Sequence, residues 1–303
     1  MSQPKVSVVV FVYNHARYIE KALNSINQQQ FDGGIEIVLH DDASTDHSAE
    51  VYQRVAAGLR YPVKIIRPAL NKVSRGISMW PEILAHCQGE YLAICEGDDF
   101  WLAPHKLAYQ CNSLDQLAHV DLVFHSAARV NWASEQIEGA YAEYGAEPKL
   151  FSPGEVIEGD GGFIPTPTLM CRRAVFERLP AWFYDRPPVE DYFIQVYGAL
   201  RGGALYLPMQ GAAYRVGDPA SWSQRSLANI EKANQFELHF IEYLLHMRAS
   251  LPAALAPHVD VIMLRHYNLL CERCFSYRRP GDLIRLGQLF ERFQAAQEGH
   301  STS

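Results

Sequence analysis

Two short acidic clusters in the sequence each follow an apolar segment. Asp41 and Asp42 end the stretch IEIVLHDD. Glu96, Asp98 and Asp99 end the stretch YLAICEGDD. Carboxylates this close repel one another and lose hydration when buried, so a partner of opposite charge has to offset the cost. Oxygen ligands suit Mg²⁺ or Mn²⁺, whose coordination is often completed by phosphate groups. The second cluster therefore predicts a divalent cation bound together with a phosphorylated ligand.

The first cluster favours recognition of a nucleobase. One aspartate can serve the turn after the strand, but a second adjacent carboxylate at a strand end needs another partner. A carboxylate accepts a hydrogen bond from the imide N–H of uracil or thymine, a donor that cytosine lacks. A solvated acidic turn is the alternative interpretation.

The elements that would position these clusters alternate along the first third of the chain. The pattern predicts strands at Lys5–Val12, Ile35–His40, Val63–Ile66 and Tyr91–Cys95. It predicts helices at Ala16–Gln28, Thr45–Leu59 and Gly76–Cys87. Strand and helix in alternation indicate an α/β fold with a mostly parallel sheet. Both acidic clusters then lie at the carboxyl ends of strands, where such sheets bind ligands.

The pattern changes in the rest of the chain. Strands are predicted at Asp121–His125, Arg129–Glu138 and Thr168–Arg172, and a helix at Glu190–Leu200. From residue 226 to about 297 the spacing is helical, with breaks near Pro252, Pro257 and Pro280. This predicts a C-terminal helical appendage to the α/β domain.

Composition limits the classes of partner. The 303-residue chain has a formal net charge of −7 and gives no electrostatic reason to expect nucleic acid. It contains no apolar run of the roughly 20 residues that a bilayer span requires, and its first residues, MSQPKVSVVV, do not follow the order of a signal peptide. These features predict a cytoplasmic protein with a small or carbohydrate-like substrate.

Three ordered motifs carry a resemblance to a known family. They are VSVVVFVYNHARYIEKALNS (6–25), EIVLHDDASTD (36–46) and GEYLAICEGDDFW (89–101). In this order and spacing they resemble the family 2 glycosyltransferases of the GT-A fold, closely over about 110 residues and loosely to residue 225. The resemblance implies a Rossmann-like GT-A domain at 1–225, with a nucleotide-sugar half at about 1–115 and an acceptor half at about 116–225. The helical region would be 226–303.

The resemblance also implies roles at the donor end of a site. The residues matched to the nucleoside pocket are Phe11, Val12 and Tyr13. Asp42 matches the residue that binds the uracil ring, and Asp98 matches the acid that holds the ribose or the sugar. Asp99 matches the ligand of Mn²⁺ or Mg²⁺.

A third acidic motif, Pro188 to Tyr192 (PVEDY), resembles the family segment whose aspartate is the catalytic base, which makes Asp191 the implied base. From the residues alone, Glu190 and Asp191 are equally well explained as ordinary acids in the first turn of a helix. The chemistry nevertheless requires such a group, because a sugar hydroxyl becomes a good nucleophile only when its proton is removed.

One segment departs from the family pattern. The stretch AYRVGDPAS resembles a segment that often carries a histidine two residues after its Tyr-Arg pair, and Gly217 occupies that position here. Asp218 is the candidate replacement as a metal ligand, and Arg215 is a candidate contact for the diphosphate.

The implied function is metal-dependent, inverting transfer of a hexosyl or N-acetylhexosaminyl group. The implied donor is a nucleotide-diphosphate sugar, with UDP favoured, and the implied acceptor is a glycan or lipid-linked sugar of a bacterial-type surface polysaccharide. Two alternatives remain open: a degenerate nucleotide-sugar-binding or scaffold protein, and a sugar-1-phosphate nucleotidyltransferase. The loop after the first strand, YNHAR, lacks the glycines expected of the latter.

The helical tail has two interpretations. Its arginines, interleaved with leucines and phenylalanines, are Arg265, Arg273, Arg278, Arg279, Arg285 and Arg292. A basic amphipathic surface would suit peripheral contact with the inner face of the cytoplasmic membrane. The favoured alternative is packing of these helices on the catalytic domain or on a second copy in a homodimer.

Overall fold

The computed structural model describes residues 3–185, 187–226 and 228–298. Its strands are β1 (Val6–Val12), β2 (Ile35–Asp41), β3 (Val63–Ile66), β4 (Tyr91–Ile94), β5 (Phe100–Trp101), β6 (Leu122–Asn131), β7 (Ile137–Tyr141), β8 (Lys149–Phe151), β9 (Met170–Arg172) and β10 (Ala204–Val216). Its helices are α1 (Ile19–Asn27), α2 (Ser48–Ala56), α3 (Trp80–His86), α4 (Lys106–Gln116), α5 (Pro153–Glu158), α6 (Ala174–Glu177), α7 (Glu190–Ala199), α8 (Trp222–Ser226), α9 (Ile230–Ser250), α10 (Ala256–Ser276) and α11 (Pro280–Glu298). The predicted ranges 1–225 and 226–303 also include residues 1–2, 227 and 299–303, which lie outside the described residues.

The described residues form one ten-stranded sheet with the main order β3-β2-β1-β4-β9-β6-β10-β5. β1 pairs in parallel with β2 and β4, and β2 pairs in parallel with β3. β9 is antiparallel to both β4 and β6, whereas β6 runs parallel to β10. The apolar run of β1 is buried along almost its whole length, as expected for a central strand covered on both faces. The predicted α/β class is confirmed.

Local side-chain bonds explain where two predicted elements differ from the structure. The helix predicted from Thr45 begins only at Ser48, because Asn14 Oδ1 accepts from the backbone N–H groups of Thr45 and Asp46 and holds them in a turn. The separate strand predicted at 129–138 is wrong: β6 continues to Asn131 and β7 begins at Ile137. Between them Asn131 Oδ1 accepts from the N–H groups of Ala133 and Ser134 and holds the chain in a turn.

Strand β10 was not predicted from the sequence. Its pairing with β6 shifts register between Leu207 and Gln210 and again between Gln210 and Ala212. These irregularities, together with Pro208 inside the strand, interrupt the alternation of apolar and polar residues by which a strand is recognised.

The C-terminal helices pack against the α/β part of the chain. Phe240 and Tyr243 of α9 belong to the same buried cluster as Phe193 of α7. The predicted apolar face is divided: Phe293 joins this cluster, Leu270 and Leu286 pack among the C-terminal helices themselves, and Phe275 is 71% exposed. Contact with a membrane or a second copy stays a prediction. Among the described residues, none of the helices combines the length and apolarity needed to cross a membrane.

Candidate active site

A cleft of about 670 Å³ lies where β1, β2 and β4 end. The residues predicted from the sequence that line it are Phe11, Val12, Tyr13, Asp42, Asp98, Asp99, Asp191 and Arg215. The fold thus brings together groups that are up to about 200 positions apart in the sequence. Asp218 is not among the described residues that line this cleft.

The paired aspartates after β2 have different surroundings. Asp41 is fully buried, and its carboxylate accepts from the Ser44 N–H at 2.8 Å and from the Tyr52 hydroxyl at 2.9 Å. Asp42 lines the cleft and accepts from the backbone N–H groups of Lys72 at 2.6 Å and Val73 at 3.0 Å. Each Asp42 oxygen has capacity for a second hydrogen bond. Asp41 therefore supports the turn, and Asp42 is the one available to a ligand.

The loop after β4 presents a carboxylate oxygen that lacks a partner. Asp99 is 3% exposed, and its Oδ1 accepts from the Arg215 backbone N–H at 2.8 Å. Its Oδ2 is buried without a hydrogen bond among the described residues. Burial raises the pKa of Asp99 well above its usual range, and the neighbouring charges of Asp98 and Glu96 add to the effect. A cation would relieve this repulsion.

Gly97 allows the acidic loop to approach β1 closely. Its backbone N–H donates to the Phe11 carbonyl at 2.8 Å. A Cβ atom at this position would lie 2.9 Å from the Phe11 oxygen and 2.7 Å from Nδ1 of His15, so any side chain would push the loop away. The glycine between the acids therefore sets the position of Asp98 and Asp99 at the end of β1.

The donor set fits a metal that is bound together with its substrate. The described residues contain no group of three or more His, Cys, Asp or Glu side chains arranged to hold an ion. Asp98 and Asp99 could supply one or two carboxylates, which is the usual protein share when Mg²⁺ or a similar ion bridges to phosphate oxygens. The Asp99 oxygen that has no hydrogen-bond partner is the atom that would coordinate such an ion.

Arg215 lies beside the acidic loop in a fixed orientation. Its Nε donates to the Asp98 carbonyl at 2.7 Å, and its Nη1 donates to Glu135 at 3.0 Å. The guanidinium also lies over the Tyr18 ring, 4.5 Å from the ring centroid. The Tyr18 hydroxyl in turn donates to Asp218 at 2.7 Å. Asp218 is thus engaged in holding the 217–221 turn and the Tyr18 ring.

Gly217, at the position where the family segment often carries a histidine, has an unusual backbone conformation. Gly217 has a φ of 85°, in the left-handed region that side chains rarely adopt. A Cβ atom there would lie 3.2 Å from Cδ1 of Trp132. A histidine would be strained in this conformation, so the turn in this protein requires the glycine.

Asp191 is half-buried in the first turn of α7. Its Oδ2 accepts from the Thr166 hydroxyl at 2.7 Å. Burial raises the pKa of Asp191 above its usual value, although the Thr166 bond opposes the shift. Glu96 lies close enough to feel the Asp191 charge. Burial raises the pKa of Glu96, and the charges of Asp98 and Asp191 raise it further. A carboxylate with a raised pKa that still reaches the cleft is suited to removing a proton from a hydroxyl group.

Sequence analysis missed several residues of the cleft. His15 and Tyr214 adjoin predicted residues, so their position beside the motifs could have indicated them. No local pattern indicates Asp160 or Phe240. Asp160 lies in a loop-rich stretch, and Phe240 lies in a helix that the sequence predicts to be separate from the site.

Comparison with known proteins agrees with this geometry. A sequence model described as glycosyl transferase family 2 matches residues 7–179, which is more than half of the chain. The chain belongs to glycosyl transferase family 2. The predicted family is therefore confirmed.

Relatives of this family 2 protein occur in several bacteria. An uncharacterized protein of Mycobacterium tuberculosis is 32% identical over 219 residues, which make up 69% of this chain and 58% of that relative. The chain thus spans somewhat more than half of that relative's length. An uncharacterized glycosyltransferase of Nostoc sp. is 28% identical over 262 residues, covering 78% of this chain and 76% of that protein.

Solved structures share the fold of this family 2 protein. S. aureus TarS in complex with UDP-GlcNAc aligns with a TM-score of 0.68 at 18% identity, covering 95% of this chain and 81% of that one. The mannosyltransferase PcManGT from Pyrobaculum calidifontis, in complex with GDP-Man and Mn²⁺, aligns with a TM-score of 0.58 at 18% identity, covering 100% and 80%. At this level of identity the alignments establish the fold, and they confirm the predicted GT-A type.

Proposed function

We propose that this protein is a divalent-metal-dependent, inverting glycosyltransferase. It moves a sugar from a UDP-sugar to a hydroxyl of a glycan or lipid-linked acceptor of the kind used in bacterial surface polysaccharides. Family membership supports the reaction class, and the nucleotide-sugars named with TarS and PcManGT support the class of donor. One observation carries the proposal: a single cleft contains Asp42, the partnerless oxygen of Asp99, and the half-buried Asp191.

The donor is held by groups at the ends of β1, β2 and β4. Asp42 accepts a hydrogen bond from the uracil imide N–H, which selects against cytosine. Asp98 and Asp99 are the residues that would hold Mn²⁺ or Mg²⁺. Such an ion supplies positive charge that stabilises the departing diphosphate. Arg215, fixed by the Asp98 carbonyl and Glu135, adds positive charge beside the same loop.

Asp191 performs the proton transfer. Its carboxylate takes the proton of the acceptor hydroxyl while the hydroxyl oxygen forms a bond to the anomeric carbon. The bond between that carbon and the diphosphate oxygen breaks, and UDP leaves with the electron pair. Attack from the face opposite the leaving group inverts the anomeric centre. The Thr166 bond orients the Asp191 carboxylate.

Calorimetric titration tests the donor half of the proposal. Purified protein is titrated with UDP, and with dTDP for comparison, in Mn²⁺ and in EDTA. We expect UDP to bind at least about tenfold more tightly with Mn²⁺, because the ion links the diphosphate to Asp99. Asp99→Asn preserves the acceptor for the Arg215 N–H but removes the charge, so it should abolish the difference between Mn²⁺ and EDTA. Asp32→Asn, an exposed aspartate outside the cleft, is the matched control.

Retention of metal-dependent UDP binding in Asp99→Asn would contradict the metal assignment. The chemical half is tested by UDP release from UDP-sugars and by NMR of the anomeric configuration of the product. UDP binding without turnover on any UDP-sugar would favour a degenerate binding protein instead. A product with retained configuration would contradict the inverting mechanism.

A further inference from the structure

Beyond Asp191, the cleft continues along the segment 160–166. Thr166 at one end of this segment donates to Asp191. Near the other end, a Cβ atom on Gly161 would lie 3.4 Å from Cγ1 of Val189, two residues before Asp191. The segment therefore contacts Asp191 at one end and lies against the turn that leads to Asp191 near the other. Whatever occupies this part of the cleft lies next to the carboxylate that takes the proton.

A chain of side-chain contacts holds this segment to the C-terminal helices. Nε2 of His266, in α10, lies 2.9 Å from Oδ2 of Asp160, and its Nδ1 lies 2.7 Å from Oε2 of Glu237 in α9. Asp160 has a φ of 62°, a left-handed conformation that a non-glycine residue keeps only when its surroundings hold it. Burial lowers the pKa of His266, but the two carboxylates more than offset this and raise it to about 9. The ring is therefore a cation that ties both carboxylates together.

The surface at this end suits an uncharged ligand. Phe236 and Phe240 line it, with rings stacked at 6.0 Å between centroids and 9° between planes. Gly161 and Gly162 line it with backbone rather than side chains. The cationic side chain at this end, among the described residues that line the cleft, is His266, and its charge is already neutralised by Asp160 and Glu237. An anionic ligand would thus gain little charge compensation at this end.

The other cationic groups of the cleft contact the donor end. Arg215 donates to the Asp98 carbonyl, and Arg225 lies over the Tyr13 ring at 5.8 Å from the centroid. Positive charge is thus concentrated where the diphosphate of the donor would lie, and apolar rings, backbone and a carboxylate remain at the opposite end. Such a mixture of aromatic faces with a few hydrogen-bonding groups is typical of sites for neutral polar ligands.

We propose that Asp160, Gly161, Gly162, Phe236 and Phe240 form a binding site for a neutral carbohydrate acceptor. His266 is a positioning residue in this site: it holds the Asp160 loop against Val189 and anchors it to Glu237. The inference rests on the proposed function for its choice of acceptor. It adds that the C-terminal helices select the acceptor and that the sugar presented to Asp191 carries no carboxylate or phosphate.

Ligand-observed NMR and calorimetry with p-nitrophenyl glycosides test this site in the presence of UDP and Mn²⁺. The probes are neutral hexosides and N-acetylhexosaminides, with a glucuronide as the charged counterpart. We expect a neutral glycoside to bind at least about tenfold more tightly than the glucuronide. His266→Phe should weaken that binding about tenfold or more and change UDP affinity less than twofold. His266→Gln, whose amide can still donate to one carboxylate, should recover part of it.

His258→Phe is the matched control. His258 also lies on α10 and also pairs with a glutamate, Glu158, but it is not among the described residues that line the cleft. It should leave both affinities unchanged. Asp160→Asn, which preserves size, provides a second variant if circular dichroism shows that His266→Phe does not fold.

Three results would overturn the proposal. They are wild-type protein that binds none of the neutral glycosides, a preference for the glucuronide, or unchanged glycoside binding in folded His266→Phe and Asp160→Asn. Wild-type protein that binds a neutral glycoside but no UDP would contradict the proposed transferase function and still support the neutral-sugar site. The two proposals therefore fail by different readouts.

Discussion

The two ends of the cleft are built in different ways. At the donor end, backbone groups hold the carboxylates: the Lys72 and Val73 N–H groups bind Asp42, and the Arg215 N–H binds Asp99. At the acceptor end, side chains hold one another, as in the contact between Asp160 and His266. The donor end thus depends on backbone groups of strand β10 and of the loop after β3, whereas the acceptor end depends on how helices dock. This division would allow the acceptor to change without disturbing the donor.

The largest effect that would test this division is expected at Asp191. Asp191→Asn preserves shape but removes the base, so kcat should fall by about a hundredfold or more, the scale of losing a general base. UDP affinity in Mn²⁺ should change less than twofold, because the donor end is held by other elements. Steady-state kinetics and calorimetry measure the two quantities.

Glu177→Gln, an exposed acid on α6, is the control and should behave as wild type. A kcat near the wild-type value would remove Asp191 from the role of base. A fall in UDP affinity as large as the fall in kcat would show that the two ends are coupled, and the comparison above would not hold.

The same division explains what the sequence could predict. Asp42, Asp98 and Asp99 were predicted because each follows a strand directly, and the ends of parallel strands meet at one edge of a sheet. His266 and Phe240 were not, because a residue on a long helix shows its partner only after the helix has docked. The difference is that the end of a parallel strand has a known place at the sheet edge before any partner is known, whereas a residue on a helix has none until the helix has docked.

Asp191 lies between these two cases. Its position at the start of α7 was predicted, since Pro188 precedes an acidic pair that opens a helical pattern. Its bond to Thr166 could not be predicted, because the partner lies in the 3₁₀ turn at Thr166–Thr168, 25 positions earlier. The residue type was thus recognised from the sequence, while the environment that raises its pKa required the fold.

A smaller effect is expected at the donor end from Asp42→Asn. The new amide can accept from only one of the two N–H groups of Lys72 and Val73, and its NH₂ would face a donor. UDP affinity should fall by about tenfold or more, the scale of a hydrogen bond to a charged group, and the preference for UDP over CDP should shrink.

Asp32→Asn again serves as the exposed control. Binding of the neutral glycosides in the absence of nucleotide should be unchanged in Asp42→Asn, since the hydrogen bonds that Asp42 accepts come from the loop at 71–73 rather than from the residues that hold the acceptor end. Unchanged UDP affinity and unchanged selectivity against CDP would show that Asp42 supports only that loop.

The smallest effect is expected from Thr166→Val, which sharpens the description of the acceptor end. The base works when it is deprotonated, so kcat falls as the pH drops through the pKa of Asp191, and burial places that midpoint above the usual aspartate value of about 3.9. The Thr166 bond stabilises the anion, so its removal should move the midpoint further up. On the alkaline plateau kcat should change little.

Thr168→Val is the matched control, because Thr168 lies in the same turn and its hydroxyl donates at 2.7 Å to the Pro165 carbonyl rather than to Asp191. It should leave the midpoint where it is in the wild type. A midpoint that Thr166→Val leaves in place or lowers would mean that Thr166 does not stabilise the carboxylate that takes the proton. An upward shift without any change in UDP affinity would show that the acceptor end is tuned by side chains that the donor end does not use.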